Sequence, residues 1–257
     1  MNSAHSLATA WVLSPFAFVC AAAALLLYFR SFGWSGRAWW MIAAAALFVL
    51  TLTSPLAALA EGYLFSAHML QHILLLLVTP ALALLALPAQ VRIPARVARL
   101  LDPNVCWACG VGAMWVWHVP ALCNAAAVSR SVSAVQTLTL LALGGAFWWQ
   151  VLAPSRSQRI APLQGVVYLF AACAACTLLG IILTFSPVTV CRAYLNPVDR
   201  LGIEPLLAGT WGMTPQRDQQ IGGLIMWVPM CLVYLCAIFG QLARWYAMPA
   251  ETPPVLS

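Results

Sequence analysis

The chain has no lysine, and only six of its 257 residues are aspartate or glutamate. Without a lysine amine no retinal Schiff base can form, which excludes a retinal-binding protein. So few carboxyl groups also disfavour a proton-pumping relay. Charged residues amount to 7%, whereas a soluble domain carries roughly 25%. The shortage of charge therefore excludes an ordinary soluble domain and indicates an integral protein of the lipid bilayer.

Other signatures of common activities are missing as well. The sequence contains no phosphate-binding glycine loop and no signature of a nucleophilic triad. Its twelve arginines are scattered and not gathered in a soluble basic domain, so nucleic acid is excluded as a partner. A positive excess of this kind is typical of loops at the cytoplasmic face of a membrane.

Long apolar runs take up most of the sequence, in which 63% of residues are hydrophobic. A membrane-spanning helix needs about 20 mainly apolar residues. We therefore predict an all-α integral membrane protein, a single helical domain over residues 1–257 with about seven transmembrane helices. The predicted spans are 7–29, 38–60, 65–87, 104–128, 131–152, 162–186 and 220–244.

The arginines predict the orientation of these spans, because short cytoplasmic loops are enriched in positive charge. With the N-terminus outside and the C-terminus inside, eight arginines lie inside and four outside. The inner set is Arg30, Arg37, Arg92, Arg96, Arg99, Arg156, Arg159 and Arg244, and the outer set is Arg130, Arg192, Arg200 and Arg217. We therefore predict an outer N-terminus, with the longest loop, 187–219, also outside.

Nine cysteines are spread over apolar segments, and their pattern predicts no disulfide framework. Free cysteine packs as a small hydrophobic residue, and we expect that role for most of them. The pairs Cys106/Cys109 and Cys173/Cys176 have the two-residue spacing of some metal and redox sites. In apolar helices this spacing is weak support for such a site.

Two histidines four residues apart open the third predicted span. On a helix His68 and His72 share one face, about 6 Å apart along the axis. Ionisable side chains inside a membrane are costly enough to indicate function. His118 lies in the fourth span, close to Pro120, which can kink the helix. The predicted topology places all three histidines in the outer half of the bilayer.

Three further side chains complete the candidate site at the same depth. They are Met69, Met226 in the seventh span and Asp218 at the head of that span. Imidazole with thioether suits Cu(I), whereas imidazole with carboxylate also suits Zn(II), iron or Cu(II). Asp218 is a candidate ligand or an acceptor that orients a histidine. Its alternative role is that of a helix N-terminal carboxylate, stabilised by the helix dipole. For the two methionines the alternative is ordinary packing.

Four blocks of sequence carry a family resemblance over about residues 50–240. They are Ser54-Pro55-Leu56 through Tyr63-Leu64-Phe65-Ser66-Ala67-His68-Met69-Leu70-Gln71-His72, then Trp117-His118-Val119-Pro120, Phe147-Trp148-Trp149 and Asp218-Gln219-Gln220-Ile221-Gly222-Gly223-Leu224-Ile225-Met226-Trp227-Val228-Pro229. In these blocks the chain resembles the CtaG family of caa3-type cytochrome c oxidase assembly proteins.

The resemblance implies a multi-pass protein of the bacterial cell (inner) membrane that takes part in maturing a haem-copper oxidase. Its implied partners are the catalytic subunit of the oxidase or other assembly proteins, and its implied task is copper delivery. His68, His72, His118 and Asp218 match motif positions of the family. The chain departs from the family pattern at Thr137, beside Gln136, where the family has a histidine.

The leading hypothesis is therefore a non-enzymatic assembly factor that binds copper, with Cu(I) favoured, and loads an oxidase. Haem is the second possibility, in a membrane redox protein with His72 and His118 as axial ligands. The third is a transporter of copper or another small solute, which would need a polar path to the inner leaflet. A purely structural, partner-binding protein is the fourth. For loop 187–219 we expect a role in docking the partner.

Overall fold

The computed structural model describes residues 7–94, 97 and 101–248, and the regular structure in these ranges is helical throughout. This confirms the predicted all-α class. Arg96 and Arg99, two of the arginines used to predict orientation, lie outside the described residues. The principal helices are α1 Pro15–Phe32, α2 Ala38–Thr53, α3 Pro55–Ala60, α4 Phe65–Ile73, α5 Thr79–Ala86, α6 Pro103–Trp117, α7 Pro120–Val128, α8 Arg130–Leu152, α9 Pro162–Phe185 and α10 Pro215–Tyr246.

Proline and polar caps decide where several of these helices begin. The first long helix starts at Pro15, later than the predicted residue 7, because Ser14 caps it and proline favours the first helical position. Likewise α10 starts at Pro215 after the cap Thr214, and therefore includes Asp218. The predicted span 38–60 is divided at Ser54, because the residue before a proline is pushed into extended backbone.

Within the described residues, five segments are long and apolar enough to cross a membrane, or six if the bent pair α6–α7 counts as one span. The remaining candidate, α2, has 16 residues. At 1.5 Å per residue it is about 24 Å long, which is short of the roughly 30 Å hydrocarbon layer. The predicted count of seven and the predicted orientation stay predictions.

The span Phe65–Ala86 lies at the centre of the bundle and is the most deeply buried of the five. It consists of α4, a π-helical turn at Leu74–Val78 and α5. Helix α4 packs against α10, whereas the π turn and α5 pack against α8 and α2. Gly144 of α8 touches the backbone of Leu76 in the π turn, leaving no room for a Cβ atom. The segment with two of the candidate histidines is thus held on several sides.

A sharp break separates α6 from α7 and confirms the expected effect of Pro120. The two helices meet at 73°, and His118 is the C-cap residue of α6 at that break. The chain leaves the helical conformation at Val119, because proline disfavours helical backbone in the residue before it. His118 therefore lies at a bend of the backbone inside the bundle.

One disulfide is present although the cysteine pattern predicts no disulfide framework. Cys123 of α7 is bonded to Cys191 in the connection between α9 and α10, with Cα atoms 5.8 Å apart. Disulfides are typical of oxidising compartments such as the periplasm. The bond therefore favours the predicted orientation, in which this end of the bundle faces outward. The other seven cysteines are free.

We expect a membrane-impermeant maleimide, added to intact cells, to label this pair from outside only after reduction. In Cys123→Ser the freed Cys191 thiol should be labelled without a reductant. Gel mobility after coupling to a maleimide of high mass measures both reactions. Labelling of Cys191 only after the membrane is permeabilised would show the opposite orientation. In a background whose seven free cysteines are replaced by alanine, labelling of Cys123 or Cys191 before reduction would contradict the disulfide.

Candidate functional site

The structure brings the three candidate histidines together between α4 and the α6–α7 break. The ring centroids of His68 and His72 are 4.5 Å apart, and those of His72 and His118 are 5.2 Å apart. All three side chains are buried. The four-residue spacing on α4 produces the first pair, and the bend after α6 brings the third ring to His72. The predicted convergence is therefore present.

The protonation of His118 follows from its neighbours. Its Nδ1 lies 2.5 Å from the carbonyl oxygen of Met114, and a carbonyl can only accept, so Nδ1 carries the proton. In the neutral ring Nε2 then holds a lone pair. That atom faces the sulfur of Met69 at 2.9 Å, and a thioether has no proton to donate. Two electron-pair donors thus face each other in a buried position.

Other polar atoms of the site also lack partners. Nε2 of His68 and both ring nitrogens of His72 are buried and make no hydrogen bond within the described part of the chain. Buried polar groups are normally paired, so each exception requires a reason. Gln136 of α8 lies close enough to His72 for a hydrogen-bonding interaction, but the contact is not a hydrogen bond of ordinary geometry, and its amide nitrogen has no other partner among the described residues. Gln136 is a site residue that sequence reasoning did not select.

Asp218 holds the start of the helix that carries His68 and His72. Its carboxylate accepts hydrogen bonds from the backbone N–H groups of Phe65 and Ser66, at 2.6 and 3.0 Å. The N-cap residue Leu64 supplies no such acceptor, so Asp218 of α10 replaces a local cap. This is the helix-terminus role considered above, but it serves α4 in addition to α10. As a metal ligand Asp218 stays a prediction.

Close approach of α10 to α4 depends on Gly222. A Cβ atom at this position would come within 2.7 Å of the Phe65 ring and 3.1 Å of Cγ of Met69. Met226 lies one turn further along α10 and is fully buried in the main core. Its role as a ligand stays a prediction, whereas Met69 contacts His118 directly. The amide of Gln71 donates to the Thr51 carbonyl at 2.7 Å and fixes α4 against α2.

The connection 186–214 covers the end of the site at which α4 begins. Tyr194 lies against His68 and Phe65, with ring centroids 6.0 and 5.9 Å away, and its hydroxyl donates to the Ala60 carbonyl. The neighbouring disulfide at Cys191 anchors this stretch to α7. Tyr194 therefore closes the mouth of the site, a contact that no local sequence pattern indicates.

The same connection is folded around Asp199. Although burial opposes the shift, hydrogen bonds from the N–H groups of Ile203 and Glu204 lower the pKa of Asp199 below its ordinary value. The hydroxyl of Tyr63, just before α4, also donates to Asp199. A charged Asp199 thus ties the connection to the segment that precedes the histidine helix.

The rings of the three histidines form a row with His72 in the middle. Within the described residues, no three histidine, cysteine, aspartate or glutamate side chains form a metal-binding group. Donor atoms meet here in pairs: two imidazoles on α4, two imidazoles across helices, and one imidazole with a thioether. Such pairs suit an ion that accepts few, soft ligands better than one that needs four or more.

Comparison with known families agrees with the four motif blocks. The family model described as cytochrome c oxidase caa3 assembly factor (Caa3_CtaG) matches residues 16–248. The chain belongs to this family. No curated protein and no solved structure matches it. Membership supports a membrane protein that acts with cytochrome c oxidase components in assembly, a role that is not itself catalytic.

The position for which the family resemblance implies a histidine is next in sequence to a residue of the site. Thr137 is buried in α8, and its neighbour Gln136 is the residue beside His72. An amide in this place offers one oxygen acceptor and two N–H donors. The chain therefore places a polar side chain, that of Gln136, beside His72.

Replacement of Asp218 by alanine should destabilise the protein more than the same change at another helix cap. Asp218→Ala leaves the buried N–H groups of Phe65 and Ser66 unpaired. Each unpaired group lowers the free energy of unfolding by about 1–3 kcal/mol. Asp102→Ala is the matched control, because Asp102 caps α6 in an exposed position, where a cap is worth about 0.5–2 kcal/mol. Thermal unfolding in detergent measures both. Equal losses of stability would contradict the role given to Asp218.

Gly222→Ala should separate α10 from α4 and displace Met69. We expect a lower melting temperature and, where copper is bound, weaker binding, because the added Cβ meets Phe65 and Met69. Gly240→Ala on the same helix is the control, since nothing lies within 4 Å of a Cβ there. The helix propensity gained is the same in both variants. A Gly222→Ala protein that behaves like Gly240→Ala would contradict the close approach.

Proposed function

We propose that this assembly factor binds Cu(I) between Met69 and the histidines His68, His72 and His118, and delivers it to the catalytic subunit of a haem-copper oxidase in a bacterial cell membrane. Copper is cargo in this proposal, so the protein is a carrier and not an enzyme. The observation that carries the proposal is the approach of Nε2 of His118 to the Met69 sulfur, at 2.9 Å.

The donor atoms of His118 and Met69 favour Cu(I) over other metal ions. Two lone pairs facing each other are unfavourable unless a cation or a proton lies between or beside them. Thioether sulfur is a soft ligand that favours Cu(I), and imidazole also binds copper well. Zinc prefers four ligands of nitrogen, sulfur or oxygen in tetrahedral geometry, and the pairwise arrangement does not supply them. The donors therefore fit Cu(I) better than Zn(II).

The row of rings offers a route for transfer. An ion held by His118 and Met69 lies next to His72, and His72 lies next to His68, which is under Tyr194 at the mouth. Because each neighbouring pair shares one ligand, copper can pass along the row by exchanging one ligand at a time. Met226 and Asp218 remain candidate supporting groups, the latter as a buried carboxyl group bonded to the first turn of the helix that carries His68.

Haem fits this arrangement less well. Axial ligation by two histidines requires the rings to approach an iron from opposite faces of a porphyrin. His72 and His118 instead meet edge to face, at 85° and 5.2 Å between centroids. This separation accommodates no porphyrin between the rings. A single small ion is therefore the ligand that the histidine geometry favours.

Partner docking is assigned to the connection 186–214 at the mouth of the site, which overlaps the predicted loop 187–219. It presents exposed Val188, Val198 and Trp211 beside the disulfide-anchored segment. Exposed apolar groups with a polar surround are typical of protein interaction sites. Copper leaving past Tyr194 would emerge next to this surface, so that docking and release occur in one place.

Anaerobic loading with Cu(I), followed by competition with a chromogenic Cu(I) chelator, tests the proposal. We expect about one copper per wild-type chain and loss of binding in His68→Ala/His72→Ala. His118→Ala and Met69→Leu should each bind at least about tenfold more weakly, because each removes one ligand of the inner pair. Met248→Leu is the control for the methionine change, since Met248 is exposed.

Copper retained unchanged in the double histidine variant would overturn the proposal. Thermal unfolding of every variant separates loss of a ligand from loss of the fold. Oxidase activity in membranes from cells that carry the same variants then tests delivery, and should fall in parallel with copper affinity. Normal oxidase activity in a variant that binds no copper would limit the protein to a scaffold.

A further inference from the structure

Four arginines lie at the end of the bundle opposite to the histidines, and three of them are within electrostatic range of the fourth, Arg159. Arg37 precedes α2, Arg156 and Arg159 lie between α8 and α9, and Arg244 lies near the end of α10. Although they are distant in sequence, Arg244, Arg156 and Arg37 all act electrostatically on Arg159. We refer to these four residues as the arginine group. Their convergence requires a reason, because like charges in proximity repel each other.

The arginine group lacks compensation by acidic residues. Burial and then the three neighbouring guanidinium groups lower the pKa of Arg159, and every charge that acts on it is positive. Asp102 lies at the same end of the bundle. Its carboxylate accepts hydrogen bonds from the N–H groups of Asn104 and Val105 and not from these arginines. Within the described residues, the arginine group is thus a concentrated positive charge.

The described hydrogen bonds of these arginines leave most of their donors free. Arg37 donates to the Leu87 carbonyl at 2.9 Å, Arg159 to the Ala153 carbonyl at 2.5 Å and Arg244 to the Gln241 amide oxygen at 2.6 Å. A guanidinium has five N–H donors in a planar fork. The bonds hold the side chains in place and leave donors that match the paired oxygens of a phosphate.

Exposed aromatic rings set the depth of the arginine group in the membrane. Trp34 and Trp39 flank Arg37, and Trp245 and Tyr246 follow Arg244, all of them exposed. Tryptophan and tyrosine are enriched at the level of the lipid headgroups. The four guanidinium groups therefore lie at the depth of the phospholipid phosphates. A lipid headgroup reaches this depth more readily than a soluble polyanion does.

A groove beside Arg37 provides room for a ligand. It has a volume of about 560 Å³ and is lined by Ser31, Phe32, Ser35, Pro88, Gln90 and Val91. Ser35 lies two residues before Arg37, and Pro88 follows Leu87, whose carbonyl Arg37 binds. Hydroxyl and amide groups on the groove wall suit the glycerol and ester part of a lipid, next to the charge that suits its phosphate.

We propose that the arginine group is a binding site for the phosphate diester of an anionic phospholipid. The site is independent of copper and lies at the other end of the bundle. It accounts for a cluster of positive charge without acidic partners, at headgroup depth and beside a groove. Basic pockets between transmembrane helices are known to bind such headgroups.

Native mass spectrometry of the delipidated, full-length protein tests this assignment, with cardiolipin, phosphatidylglycerol and phosphatidylcholine added at equal concentration. We expect the two anionic lipids to bind in preference to phosphatidylcholine. Arg159→Gln/Arg244→Gln should weaken their binding by roughly thirtyfold, since each arginine near the surface contributes about a factor of five. Arg130→Gln/Arg192→Gln removes the same charge at the histidine end and should leave binding unchanged.

If the double variant does not fold, Arg156→Gln replaces it, because Arg156 is exposed on a short turn; the expected loss is then about fivefold. Equal binding by the variant and its control, or no preference over phosphatidylcholine, would overturn the proposal and leave an ordinary excess of positive charge on one side. Displacement of the lipid by millimolar inorganic phosphate would show the free anion to be the ligand and would equally overturn it.

Discussion

Unpaired imidazole nitrogens at the centre of a membrane bundle are the constraint on which the rest of the structure depends. Polar groups without partners are expensive in a medium without water, and Nε2 of His68 and both ring nitrogens of His72 have no hydrogen bond of ordinary geometry among the described residues. One ring nitrogen of His118, Nδ1, is hydrogen-bonded to the Met114 carbonyl, whereas the other, Nε2, faces the sulfur of Met69. A bundle that carries such groups needs rigid surroundings, and under the proposal a bound copper ion would pair them.

The surroundings of the histidines are rigid for separate physical reasons. Asp218 caps α4 from another helix, Gly222 lets that helix approach, and Gly144 lets α8 touch the π turn that follows. Single π turns inside helices occur frequently at functional sites, because they shift the register of the side chains around them. Here the π turn begins at Leu74, two residues after the second histidine of the pair. The ligands are thus held by the backbone of three helices, whereas the mouth is closed by a disulfide-anchored connection.

The sequence predicts what depends on local spacing. The shared face of His68 and His72, the bend at Pro120 and the apolar helices follow from helical geometry and from proline alone. Contacts between distant segments did not follow: the Cys123–Cys191 bond, Tyr194 over His68 and Gln136 beside His72. Asp218 was selected as a candidate, but its bonds to Phe65 and Ser66 cross more than 150 residues. Such contacts depend on how helices pack, which residue patterns within one helix do not encode.

X-ray absorption at the copper edge of the Cu(I)-loaded protein tests the nature of the site most directly. The arrangement of His118 and Met69 predicts imidazole nitrogen together with one sulfur in the first coordination shell, at low coordination number. Met69→Leu should remove the sulfur and leave the nitrogen. A shell of nitrogen and oxygen alone in the wild type, or a sulfur signal that survives in Met69→Leu, would contradict a site built on this pair.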